Sequence, residues 1–440
     1  MKLLSVLLIL VFLTGCSFDN KTGIWKSESN TYKKKSNFED FKTLSINKDS
    51  FNEVIKIKQN FNFNLPKKII NNKWEDIYYN KYNNFDNFSY NEEKNLILKS
   101  KKLSKYKLNR FFLYDKDNVI LTDDRGNLIV YSIEKNQIVI KFNFYKKQYK
   151  KIKKTLNIVI SEGIIYVSDN LGFIYAFDYK EEKILWAKDN KVPFRSNLKI
   201  ENKYLVASDQ NNRLYLFDKN NGNILKLIPT EETKVKNNFK NNFSINNKFI
   251  FMLNTYGSLY AIDSKNSNVK WVLNLNQSLD INPSNLFNGH PIINNENYSV
   301  VTSQDATYII NSINGAIISK LNIISKVKPL IVNNYLYLVS SNNLFICVNL
   351  KNGEIIYSNN INKKIAEFWD IKEEIALIES IMIANNKILI LLKNAYMLEF
   401  EAKGDLKNIF KLPTKINSDI IFINNSILYL DHKNKLILLN

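Results

Sequence analysis

The chain has 440 residues, with 62 Lys and Arg against 42 Asp and Glu, a formal net charge of +20, and only two cysteines and two histidines. A content of 45% hydrophobic and 13% aromatic residues excludes wholesale disorder, and two cysteines exclude a disulfide scaffold and a four-thiolate zinc site. The charge by itself points to an acidic partner or an anionic membrane surface, or to lysines that merely solvate the surface of an Asn-, Lys- and Ile-rich chain.

Met1-Lys2 is followed by an apolar run from Leu3 to Leu13. A stable membrane-spanning helix needs about 20 apolar residues, whereas one positive residue before about ten apolar ones has the form of a secretory signal. The run ends in Leu13-Thr14-Gly15-Cys16, which resembles the lipobox of bacterial lipoproteins. That resemblance implies cleavage after residue 15 and acylation (palmitate among the chains) of Cys16, with several acyl chains each contributing about 0.8 kcal/mol per buried CH₂. Ser17, not Asp, follows the cysteine, which in such lipoproteins favours transfer to the outer membrane.

Residues 16–66 are rich in Lys, Asn, Ser, Asp and Glu and show no sustained helical or strand period. They read as a lipid-anchored, mostly flexible tether, with Phe51, Ile55, Phe61 and Leu65 as docking points on the folded body.

The rest is one unit repeated. In its clearest form Ile165-Tyr166-Val167-Ser168-Asp169 is a short apolar strand, Phe173-Ile174-Tyr175-Ala176-Phe177-Asp178 follows a glycine turn, and Lys183-Ile184-Leu185-Trp186 closes the unit. Two more clear copies end at Leu225 and at Trp271, and weaker ones flank them. Aligned on one strand end, the copies fall at Ser132, Asp178, Asp218, Asp263, Asn311, Asn349, Glu401 and Asn440, at intervals of 38 to 52 residues averaging 44. That is the period of a four-stranded propeller blade. The expected fold is all-β: an eight-bladed β-propeller of four-stranded antiparallel blades over residues 67–440. Recurrence of Asp178, Asp218 and Asp263 at one blade position marks them as turn caps rather than a catalytic set, and Trp186 and Trp271 as packing between blades. The last copy stops at Asn440, so the segment Asn72-Lys73-Trp74-Glu75-Asp76-Ile77 is expected to supply the outer strand that closes the ring.

The three clear copies resemble the pyrroloquinoline-quinone-type propeller repeat, with its Asp-x-x-x-Gly-x-x-x-Trp ending. Asp218 and Gly222 keep its first part and Trp186 and Trp271 its last. With the lipobox and tether, the chain resembles the BamB-type outer-membrane-assembly lipoproteins over nearly its whole length after the tether. The resemblance implies a non-catalytic scaffold without a cofactor or metal, held by its lipid anchor on the periplasmic face of the outer membrane. Its implied partners are the periplasmic domains of BamA, other assembly-machine subunits and unfolded outer-membrane proteins. In that family an exposed loop arginine contacts BamA. The counterpart here lies in Pro193-Phe194-Arg195-Ser196, where Arg195 would pair with partner carboxylates and Phe194 would supply an apolar anchor. An ordinary inter-blade loop with a solvated arginine is the alternative.

Two other classes remain in view. A quinoprotein dehydrogenase of the same fold would hold its quinone under a vicinal disulfide, which Cys16 and Cys347 cannot form; Cys347, inside an apolar strand, reads as a small buried hydrophobe. His290 and His432 read as structural or solvated, and no nucleotide-binding glycine loop or zinc spacing is present. A polyanion- or envelope-binding propeller would use the charge, with Lys146-Lys147, Lys150-Lys151 and Lys153-Lys154 as its densest cluster. Nucleic acid is not an expected partner for a secreted chain.

Overall fold

The computed structural model describes residues 50–57, 63–149, 151–233, 235, 238–276 and 286–440, together with the backbone of two short strands, Cys16–Phe18 and Trp25–Ser27, that pair antiparallel. The Cys16 side chain and Phe61 lie outside the described residues.

Eight four-stranded antiparallel sheets follow one another at 113–143, 156–189, 199–228, 242–274, 293–321, 330–360, 378–411 and 421–439, here called blades 1 to 8. The first strands of blades 2 to 7 adjoin one another around the axis, so the first strand of each blade is innermost and the last outermost. Asp178, Asp218, Asp263 and the other repeat anchors each close or directly follow a third strand. The longest interval, between Asn349 and Glu401, is lengthened by helix α1 (Ile361–Trp369), capped by the Asn360 side chain, between blades 6 and 7. This is the longest helix among the described residues, and none of them forms a helix long and apolar enough to cross a membrane.

Position within the blade sets the burial. Second and third strands such as Phe249–Leu253 and Leu344–Asn349 are buried almost throughout, whereas outer strands such as Ile224–Ile228 and Val269–Asn274 are largely exposed. First-to-second strand turns use residues in the left-handed region, for example Asn385 and Asn386 (φ 47° and 62°) and Asn424 and Asn425 (φ 46° and 60°). Positive φ at both central residues is what a tight hairpin matching strand twist requires, and Asn tolerates it best after glycine. Neighbouring blades lock through Trp186, whose Nε1–H donates to Lys219 O at 3.0 Å. Its ring lies so close to Gly222 (φ +72°) that a Cβ there would approach Cε3 to 2.5 Å. Trp271 covers Gly315 in the same way.

Ring closure differs from the expectation. The outer strand of blade 8 is Leu96–Lys99, paired with Leu436–Leu439, and not the segment around Trp74. Leu96-Ile97-Leu98 has the apolar strand character that an outer strand needs, while residues 69–91 do something else. This segment travels once around the axis and meets the inner strands of the blades in order. Asn424 N–H of blade 8 donates to Asn71 O at 2.7 Å. Trp74 and Tyr114 of blade 1 exchange backbone bonds at 2.8 and 2.9 Å. Ile160 N–H of blade 2 donates to Glu75 O, Ile245 N–H of blade 4 to Lys81 O, and Asn294 N–H of blade 5 to Tyr82 O. Ile331 N–H of blade 6 donates to the Asn84 side chain at 2.9 Å, Phe88 pairs with blade 7, and Asn91 returns to blade 8. Blade 3 is joined through Lys199 and Asp76. The inner edge of a blade carries unpaired backbone groups that need partners when buried, and this plug supplies them. Trp74 stands in its aromatic centre, 4.7 Å from Tyr79 and 5.7 Å from Phe88 between ring centroids.

Phe51, Ile55 and Leu65 dock on the ring: Phe51 N–H donates to Asn322 O, Ile55 pairs with Ser358, and Leu65 packs with the core of blades 6 and 7. The docked body therefore begins before residue 67.

Candidate functional site

The plug covers the end of the axis where the first and second strands of each blade turn. At the opposite end the inter-blade loops and the second-to-third strand turns surround an open funnel. Two adjoining cavities of about 370 and 330 Å³ form it, sharing Tyr78, Arg110, Phe111 and Pro291. Ile77, Tyr78 and Phe85 from the plug line its depth.

Its charge is lopsided. Arg110 Nε donates to Asp419 Oδ1 at 3.0 Å and its Nη2 to Glu379 Oε1 at 2.7 Å, and the Asp419 carboxylate raises the guanidinium pKa. These two carboxylates are thus already committed. Around them stand Lys240, Lys326, Lys328, Lys393 and His290. Lys326 Nζ donates to Asn343 Oδ1 at 2.6 Å, and Lys328 Nζ donates to Asn83 O at 2.6 Å while lying 3.9 Å from the Phe85 ring centroid. Burial brings the Lys328 ammonium down to about 7, opposed by the Asp419 charge. Lys240 keeps contact with solvent yet is walled in by protein, and this desolvation, with the Arg195 charge beside it, lowers its pKa. Desolvation and then Lys393 lower Lys326 likewise. His290 is buried enough to be held below its ordinary pKa, with Nε2 at 3.1 Å from Ser325 O.

Of the two residues expected to bind a partner, the structure keeps one available. Arg195 is half-buried on the loop face, its backbone N–H bonded to Ser208 O, and its guanidinium has no hydrogen-bond or ion-pair partner among the described residues. Phe194 is corrected: it is 3% exposed and packs edge-on against Tyr215 and Phe217 at 6.3 and 6.1 Å. Its strand pairing with Asp209 turns the ring into the core between blades 2 and 3, so it is no surface anchor. Glu231 and Glu232 of the next loop are engaged internally, with Ser258 and with Arg213 respectively.

The remaining candidates also find their places. Asp178, Asp218 and Asp263 each accept turn N–H groups, from Lys180, Asn220 and Lys265 for example. A second series, Asp123, Asp169, Asp209 and Asp431, caps the opposite turns in the same manner and closes or directly follows the strand before them; its signal is present in the repeats. Cys347 is fully buried, and burial pushes its thiol pKa up. His432 donates its backbone N–H to Lys415 O. In the lysine cluster Lys154 is buried over the Tyr145 ring and bonded to Tyr149 O, while Lys146, Lys147, Lys151 and Lys153 are exposed. Among the described residues no group of three or more His, Cys, Asp or Glu could hold a metal ion. The funnel lysines were not singled out in the sequence, because each stands in a different loop and only the ring brings them together.

Geometry of this kind defines an eight-bladed propeller of pyrroloquinoline-quinone-like repeats with one end plugged and one open. A family model described as outer membrane protein assembly factor BamB matches residues 100–270 and 146–359. The chain belongs to that family. Among solved structures, it is similar to BamB from Moraxella catarrhalis, with a TM-score of 0.59 and 11% identity, covering 77% of this chain and 99% of that one. It is also similar to the computationally designed Ika8 protein, with a TM-score of 0.55 and 9% identity over the same shares. At these identities the likeness is one of fold. No curated protein sequence matches.

Proposed function

We propose that the chain is a non-catalytic scaffold of outer-membrane protein assembly, anchored through acylated Cys16 on the periplasmic face of the outer membrane. In this role it binds the periplasmic domains of BamA through the open loop face. Membership of the assembly-factor family supports the role in outer-membrane protein assembly. The observation that carries the choice of face is Arg195, a half-buried guanidinium with no carboxylate partner among the described residues. An arginine in that state is poised for a bidentate bond to a carboxylate on another chain. The plug supports the same choice, because it occupies the other end of the axis with the protein's own backbone.

The test is retention of the BamA periplasmic domains by immobilised full chain. Wild type should retain them and Arg195→Glu should not. Failure of wild type would remove the partner, and retention by the variant would remove Arg195 from the contact.

A further inference from the structure

We propose that the funnel at the open end is a binding site for an acidic peptide segment, whose carboxylates lie among Lys240, Lys326 and Lys393 while its backbone meets the asparagine-lined wall. Three observations lead there.

The first is uncompensated charge in a concave site. Lys240 sits beside Arg195, and Lys326 beside Lys393, each pair close enough for one charge to depress the pKa of its neighbour. The carboxylates that line the funnel, Glu379 and Asp419, are both bonded to Arg110. The ammonium groups of Lys240 and Lys393 have no hydrogen-bond or ion-pair partner among the described residues. Like charges side by side in a concave site repel, and an anionic group placed between them relieves that repulsion.

The second is size. Cavities of about 370 and 330 Å³ that adjoin fall in the range that holds a ligand of several residues or a drug-sized molecule.

The third separates a peptide from a small polyanion. Asn241 lines the funnel, is fully buried, and donates its amide to Ser208 Oγ and Asp209 O. Its Oδ1 has no partner. That oxygen is itself shut off from solvent; the acceptors a ligand can reach are the side-chain amides of Asn238 and Asn288, both exposed on the same wall. A phosphate or a di- or tricarboxylate at neutral pH brings acceptors only, whereas a peptide brings carboxylates and backbone N–H groups together. The aromatic floor of Tyr78, Phe85 and Phe111 adds apolar contact for its stem atoms.

This site is independent of whether BamA is the scaffold's partner, and its test uses a peptide alone. A Glu-Gly-Asp-Gly-Glu amide carrying fluorescein on its N-terminal amine is titrated with the full chain, and binding is read by fluorescence anisotropy. Wild type should bind it, and the triple variant Lys240→Gln, Lys326→Gln, Lys393→Gln should bind at least about tenfold more weakly. A control triple, Lys146→Gln, Lys147→Gln, Lys151→Gln, removes equal charge outside the funnel and should stay within about twofold of wild type. Equal loss in both triples would reduce the effect to general surface charge and overturn the site, as would no binding by wild type. Citrate should displace the peptide only at much higher concentration; displacement at matched concentration would overturn the peptide and make the site one for small anions.

Discussion

Lys199 Nζ lies 2.7 Å from Asp76 Oδ2, with the two side chains 1% and 8% exposed, and this buried ion pair joins the plug to the inner strand of blade 3. The ammonium also donates to Asn80 O at 2.8 Å and to Asn83 Oδ1 at 2.5 Å, so all three of its protons are used. Burial lowers the Lys199 pKa and Asp76 opposes the shift. Removing one member leaves the other charge buried alone, which costs about 3–5 kcal/mol, whereas replacing both by apolar groups is often neutral. Lys199→Met should therefore lower the thermal midpoint strongly. The double variant Lys199→Met, Asp76→Leu should recover most of the loss, and the two melts measured side by side check it.

The plug and the closing strand are separable. A chain beginning at residue 92 lacks the plug but keeps the outer strand of blade 8, Leu96–Lys99. One beginning at residue 102 lacks both, and strand Leu436–Leu439 becomes a bare apolar edge, open to pairing with another copy. The midpoint should fall at each step, and only the shorter chain should elute as oligomers in size-exclusion chromatography.

Gly222→Ala places a Cβ 2.5 Å from Trp186 Cε3 at a φ of +72°. Overpacking and left-handed strain together should destabilise by about 1–3 kcal/mol. In a Trp186→Leu background the steric part disappears, so the glycine substitution should cost measurably less there. A double-mutant cycle by denaturant unfolding reads the coupling.

Lys328 makes stability depend on pH. Its pKa near 7 in the fold lies below its unfolded value of about 10.4, so between these limits the unfolded chain binds more protons. Stability from this residue rises as pH increases through that window, and the cost of its buried charge is fully present below pH 7. The charges acting on it are Asp419 and Asp76, which favour the ammonium, and Lys199, which opposes it. The midpoint of wild type relative to Lys328→Met should climb between pH 7 and pH 10; a pH-independent difference would contradict the assignment.

The ring was legible because its repeat is carried by residues whose chemistry recurs. Asp178, Asp218 and Asp263 cap the same turn, Gly222 and Gly315 sit under Trp186 and Trp271, and the apolar alternation between them repeats with the blade. The inner strands were hidden because they are short, such as Lys199–Glu201 and Ile293–Asn294, and vary in type from blade to blade. Trp74 misled for a physical reason. A tryptophan in an outer strand packs on the next blade, as Trp186 does, but a tryptophan in a plug packs on other aromatics, and the local sequence is the same. Beside an arginine in a loop, Phe194 has the sequence signature of an exposed anchor; only the bridge to Asp209 turns it inward. The funnel lysines depend on eight blades meeting around one axis, a relationship that no local pattern carries.

The measurement that bears most directly on the scaffold is photo-cross-linking in the cell envelope from two positions on opposite ends of the ring. A photoreactive residue at position 195 lies on the loop face, and one at Asn220 lies in an exposed turn at the plugged end. An adduct with BamA is expected from position 195 and none from position 220. An adduct from 220 alone, or from neither position, would contradict binding through the open face.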